Sequence, residues 1–115
     1  MKNLGVESPS TELRTAVTVM NSGGKPELCP FFGKCDGLLV LDAKDDSFEF
    51  RPNEGRTPES LCNLIVAAKP NRLICGYVGD PEKKKLRASG IDVRLGSCSC
   101  SVDELSAGFS DLPEA

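Results

Sequence analysis

The sequence predicts a single α/β domain, and three observations carry that prediction. Apolar alternation and short apolar runs mark five strands. Three stretches carry helical spacing or helix start signals. The order is strand-strand-strand-helix-strand-helix-strand-helix, which gives a three-stranded antiparallel meander followed by two helix crossovers that add parallel strands. The expected architecture is therefore a mixed five-stranded sheet with helices packed on it. At 115 residues, 39% hydrophobic and 27% charged, the composition fits one soluble globular unit with its own core.

Residues 1–13 are polar, include Pro9 and several Ser and Thr, and read as a loose tail; the domain is expected over 14–109, with a second tail over 110–115. Arg14 to Met20 alternate with β-branched residues and form the first strand. From Asn21 to Cys35 the chain reads as loop, through Gly23-Gly24-Lys25-Pro26 and Phe32-Gly33-Lys34. Leu38-Leu39-Val40-Leu41 is a continuous apolar run, as in a strand buried on both faces. Asp45-Asp46 turns the chain, and Phe48 and Phe50 alternate with Glu49 and Arg51 as a half-buried third strand.

Thr57 is a helix N-cap with Pro58 at the first helical position; Leu61, Leu64, Ile65 and Ala68 make the inner face, and Pro70 stops the helix. Leu73-Ile74-Cys75 is a fourth strand. Asp80-Pro81 opens a helix running to about Ser89, and Gly90 suits a left-handed cap with Ile91 packing back. Ile91, Val93 and Leu95 alternate as the fifth strand. Ser101-x-x-Glu104 is a capping box that opens a short helix with Val102, Leu105 and Phe109 inward.

In this topology all strands but the second run parallel, so their carboxyl ends share one edge, the edge where open α/β sheets bind ligands. The six cysteines fall on or near it. Cys29 and Cys35 lie in the loop leaving the first strand, Cys62 in the first turns of the helix after the third, Cys75 at the end of the fourth, and Cys98 and Cys100 before the last helix. Soft thiolates select zinc, copper(I) and iron–sulfur species. Cys29, Cys35, Cys98 and Cys100 lie in loops and lead the candidate ligand set. Cys75 and Cys62 support it, and each also reads as a small core residue. The spacing is neither a zinc ribbon nor a ferredoxin run.

Other features carry less. Gly76-Tyr77-Val78-Gly79-Asp80-Pro81 suits an anion but is no nucleotide-binding motif. Lys83-Lys84-Lys85 with Arg87 reads as a solvated helix face, and Asp42, Asp45, Asp46 and Glu49 as a charged turn. With no histidine, no Ser-His-Asp or Cys-His catalysis is available, and no enzyme activity is expected. A net charge of −3 argues against nucleic acid as a partner. No run is apolar enough to cross a membrane, and Met1–Ser10 holds no apolar leader core, so a cytoplasmic location is expected.

A resemblance adds to this reading. Thr15-Ala16-Val17-Thr18-Val19, Gly23-Gly24-Lys25, Phe32-Gly33-Lys34 and a strand ending in Asp42 resemble the dinitrogenase iron–molybdenum cofactor biosynthesis family, the group of NifX, NafY and the C-terminal domain of NifB. Asn53-Glu54-Gly55, Ala67-Ala68, Leu73-Ile74-Cys75-Gly76 and Leu86-x-x-x-Gly90-Ile91-x-Val93 follow in the family's order, so the likeness spans about 14–108. It implies a ribonuclease H-like fold and carriage of metal–sulfur clusters without catalysis. Relatives often place His before the Phe-Gly pair; Phe31 stands there in this chain, with Cys29 and Cys35 on either side.

The expected function is a carrier or scaffold for an iron–sulfur or molybdenum/iron–sulfur cluster, docking with donor and acceptor proteins as a monomer or a cluster-bridged homodimer. The cysteine pattern alone leaves open a zinc- or disulfide-stabilised interaction module and a thiol redox protein.

Overall fold

Arg14–Ser22 form β1, the strand that both halves of the core share. The computed structural model describes residues 14–22, 25–32, 35–42, 47–96 and 101–115. Cys98 and Cys100, and the N-terminal segment expected as a tail, lie outside them.

β1 pairs antiparallel with β3 (Gly37–Asp42), from Arg14↔Asp42 to Val19↔Gly37, and β3 pairs antiparallel with β4 (Ser47–Pro52). On its other side β1 pairs parallel with β5 (Arg72–Cys75), which pairs parallel with β6 (Asp92–Leu95). The order β4-β3-β1-β5-β6, with β3 alone opposed along that path, is the expected meander plus two parallel crossovers.

The strand count is six rather than five. Lys25–Leu28, expected as loop, is a strand, β2, hairpinned onto β1 from Val19↔Leu28 to Ser22↔Lys25. Pro26 and the glycine pair mask it in sequence, since proline donates nothing to a ladder. Tertiary context creates it. β5 pairs only with Thr15–Val17, so the far end of β1 has a free edge for β2.

Helix α1 (Pro58–Ala68) begins as expected. Thr57 Oγ1 accepts from Ser60 N–H at 3.0 Å and Ser60 Oγ accepts from Thr57 N–H at 3.2 Å. Lys69, in the left-handed region at φ 54°, closes it just before Pro70. Helix α2 (Asp80–Ala88) closes through Gly90 at φ 84°, with Ile91 N–H donating to Leu86 O at 3.3 Å and both side chains buried. Helix α3 (Val102–Ala107) starts with the expected Ser101–Glu104 box and runs into a 3₁₀ turn, Phe109–Asp111.

Strand alternation divides the core. On one face Ala16, Leu38, Val40, Leu73 and Cys75 pack under Leu61, Cys62, Ile65 and Leu86 of α1 and α2. On the other, Val17, Val19, Leu28, Leu39 and Ile74 pack against Val102, Leu105 and Phe109. Each fully buried aliphatic side chain here stabilises the fold by about 1.5–3 kcal/mol. Phe48 and Phe50, expected to be half-buried, stay outside both clusters; Phe48 is 74% exposed on the edge strand. The end of the chain, expected as a loose tail, is tied down. Leu95 N–H donates to Pro113 O at 2.9 Å and Ala115 N–H to Val93 O at 3.1 Å, which covers the free edge of β6.

Thr57→Ala removes the cap of α1 and should lower unfolding free energy by about 1 kcal/mol. The check is urea denaturation, where the midpoint falls and the slope stays unchanged.

Candidate functional site

At the carboxyl edge of the parallel strands, two segments cross in direct contact. Cys29–Phe32 leaves β2 and runs beside Cys75–Val78 leaving β5. Tyr77 N–H donates to Pro30 O and Phe32 N–H to Tyr77 O, both at 2.9 Å, and Phe31 and Tyr77 form a parallel bridge. Gly76 makes the crossing possible. A Cβ there would lie 2.6 Å from Cys29 O and closer still to Pro30 O.

The crossing turns Phe31 and Tyr77 outward, 59% and 72% exposed. Between them and the starts of α1 and α2 is an open cleft of about 500 Å3, lined by Phe31, Phe32, Arg56, Pro58, Tyr77 and Glu82. Pro58 is the first residue of α1, and Gly79, which also lines the cleft, is the N-cap of α2. The positive ends of two helix dipoles therefore meet at one opening. Arg56 adds a guanidinium and sits at φ 51°, a left-handed conformation that costs a non-glycine residue about 1–2 kcal/mol. Its Nη1 lies 3.0 Å from Asp36 Oδ1, and Glu82 brings negative charge to the same wall.

Four of the six candidate cysteines lie in the described residues, and all four are buried free thiols. Sequence places Cys29 and Cys35 in a polar loop; the structure packs them in the core beneath α1, 2% and 0% exposed. Both donate to Phe31 O, at 3.1 and 3.3 Å, and Cys35 also donates to Phe32 O at 3.1 Å. Burial pushes the Cys35 thiol far up, and the neighbouring Cys29 thiol pushes it further. Cys75 is raised to about 12 by burial. Cys62, under α2 with its Sγ 3.9 Å from Glu82 O, is raised by burial, with Lys85 opposing. Among the described residues no three Cys, Asp or Glu side chains converge as metal ligands.

Asn53 is a positioning residue that sequence reasoning places only within a resemblance. It is buried; its Nδ2 donates to Cys35 O at 3.3 Å and its Oδ1 accepts from Ser60 Oγ at 2.6 Å. Its backbone pairs with Asp36 O and Arg56 N–H. One side chain thus joins the thiol segment, the cap of α1 and the Arg56 turn. Its signal in sequence was its place in the Asn53-Glu54-Gly55 run of that resemblance.

The sequence matches the dinitrogenase iron-molybdenum cofactor family over residues 14–110. The chain belongs to that family. No curated protein matches it in sequence. In structure this family member is similar to the apo form of the orange protein from Desulfovibrio gigas, at 26% identity and TM-score 0.77, covering 90% of this chain and 93% of that one. It is also similar to a NifB-like protein of the DUF35 family from Thermotoga, at 21% identity and TM-score 0.70, covering 89% and 92%.

Two predictions follow from the geometry. Gly76→Ala forces apart two backbones and should destabilise the domain by about 1–3 kcal/mol in urea unfolding. Stability should also fall in alkali. Below the ordinary thiol value of 9.0, Cys75 is protonated in both states; above it the unfolded thiol ionises while the folded one holds its proton up to about 12. Unfolding free energy should therefore drop across that window by about 1.4 kcal/mol per pH unit for each such thiol. Cys75→Ala should flatten the slope by one thiol's share.

Proposed function

We propose that the chain carries an anionic metal–sulfur cluster as cargo in the cleft at the sheet edge and hands it to a partner protein. The observation that carries this reading is the convergence of two helix N-termini, Arg56 and the exposed rings of Phe31 and Tyr77 on one opening of about 500 Å3. Anions are favoured at helix starts. Sulfide-rich clusters are soft and weakly hydrated, so an aromatic wall suits their surface. Family membership supports a metal–sulfur cargo tied to nitrogenase-cofactor assembly.

Cleft and cysteines divide the work in this reading. Cys98 and Cys100, between β6 and α3 in chain order, are the thiols we assign as cluster ligands. Cys29 and Cys35 stand behind the cleft wall, buried and shielded from solvent. Transfer proceeds by ligand exchange at the open mouth, with donor and acceptor proteins docking over Phe31 and Tyr77. No catalytic step is required. The strand order with β3 opposed supports a ribonuclease H-like arrangement serving this role.

The test is anoxic reconstitution with iron and sulfide, or with tetrathiomolybdate, followed by gel filtration, visible spectra and metal and sulfide analysis. The expected result is a coloured chain with about one cluster. Phe31→Ala combined with Tyr77→Ala should weaken retention about tenfold, or about 1.4 kcal/mol. Both side chains are exposed, so the fold should survive. Cys98→Ser with Cys100→Ser should bleach the protein. A chain that stays colourless with every donor overturns the reading.

A further inference from the structure

We propose that the outer edge of β4 is a self-association surface, where a second copy of this chain adds its own β4 antiparallel across a two-fold axis at Phe50. The sheet has two edges, and the chain treats them differently. At β6 the end of the chain covers the edge: Arg94 and Glu114 form an antiparallel bridge, and Ala115 N–H donates to Val93 O at 3.1 Å. At the other edge β4 ends the strand order, and no described residue pairs with its outer side. An uncovered edge strand is a template for another strand.

Alternation sorts β4 into two faces. Phe48 and Phe50 lie on the face of their cross-strand partners Leu41 and Leu39. Phe48 stands free in solvent. Phe50, 38% exposed, lays its ring over Gly37, where a Cβ would come within 2.6 Å of its Cζ. Glu49 and Arg51 lie on the other face, joined by an ion pair of 3.2 Å, with Glu49 exposed. The edge thus carries two aromatic rings on one side and one charge of each sign on the other.

The occupant follows from that pattern, which is complementary to itself. When identical strands pair antiparallel about a two-fold axis, each residue faces the one equally far beyond the axis. An axis at Phe50 sets Glu49 against the partner's Arg51, and Arg51 against the partner's Glu49. Phe50 meets its own copy, and Phe48 meets the partner's Pro52. Opposite charges pair on one face and a stripe of rings forms on the other, and both favour strand pairing. Moving the axis by one residue either way sets Glu49 against Glu49 or Arg51 against Arg51, so the charges select one register. Pro52, with no N–H to donate, ends the ladder at both limits. The covered β6 edge stops further growth, so association closes at two copies. Six residues of β4 make a small interface, and the dimer is weak and reversible.

The test is sedimentation velocity on the reduced, metal-free full chain from about 10 µM to about 1 mM, the span in which so small an interface dissociates. A monomer–dimer equilibrium is expected. Glu49→Arg should weaken it about tenfold or more, and Glu49→Arg combined with Arg51→Glu should restore it. Cross-linking in a Cys98→Ser/Cys100→Ser chain reads the register. Phe50→Cys should form an intermolecular disulfide under mild oxidation, because residues on the axis stand about 5 Å apart. Phe48→Cys should not, its two copies being about 14 Å apart. If Phe50→Cys fails to fold, the charge exchange decides. A chain that stays monomeric at about 1 mM, whether its own first residues or another protein covers the edge, overturns the proposal. So does a dimer undiminished by Glu49→Arg, or cross-linking at position 48 in preference to 50. Iron and sulfide are absent throughout, so this surface and the cluster cleft can fail separately.

Discussion

The backbone at Cys29 and Pro30 lies against Gly76 with no room for a methyl group between them, and the functional edge is built on that contact. Two hydrogen bonds of 2.9 Å lock Phe32 and Pro30 to Tyr77. The outward turn of Phe31 and Tyr77 follows from them. Cys29 and Cys35, by contrast, lie buried on the core side of the same segment. The same contact thus raises the aromatic wall of the cleft and seals two thiols behind it. Asn53 anchors the far end of that segment to α1, so the cleft and its wall are held by a buried polar link rather than by loop packing alone.

Electrostatics sort the edge into two zones. The open zone gathers helix starts and Arg56, where negative charge is favoured. The closed zone gathers Cys29, Cys35 and Cys75 in the core, where burial opposes ionisation of Cys35 and Cys75. Thiols in that state resist oxidation and casual metal capture. An open cleft and protected thiols therefore coexist within one small domain.

What local chemistry decides was legible in the sequence. Thr57-Pro58, Ser101-x-x-Glu104 and Gly90-Ile91 mark helix ends through contacts within a few residues, and each stands where expected. The parallel sense of β1, β5 and β6 follows from crossover length. What long-range contact decides was not legible. β2 exists because β5 is short beside β1, which no property of Lys25–Leu28 reveals. The loop composition around Cys29 and Cys35 reads as exposed, and only the crossing at Gly76 buries it. The cleft was half visible: the Gly76–Pro81 stretch suggested an anion site, but the opposing wall of Phe31 and Arg56 comes from distant parts of the chain.

The central claim is that the crossing is formed before any cargo arrives. Amide hydrogen exchange on the reduced, metal-free chain tests it most directly, read at Phe32 and Tyr77. Protection at both amides comparable to that of Val17 and Ile74 in the central strands is the predicted result. Exchange at the rate of an unstructured peptide would show that the edge is not preformed, and would contradict the account.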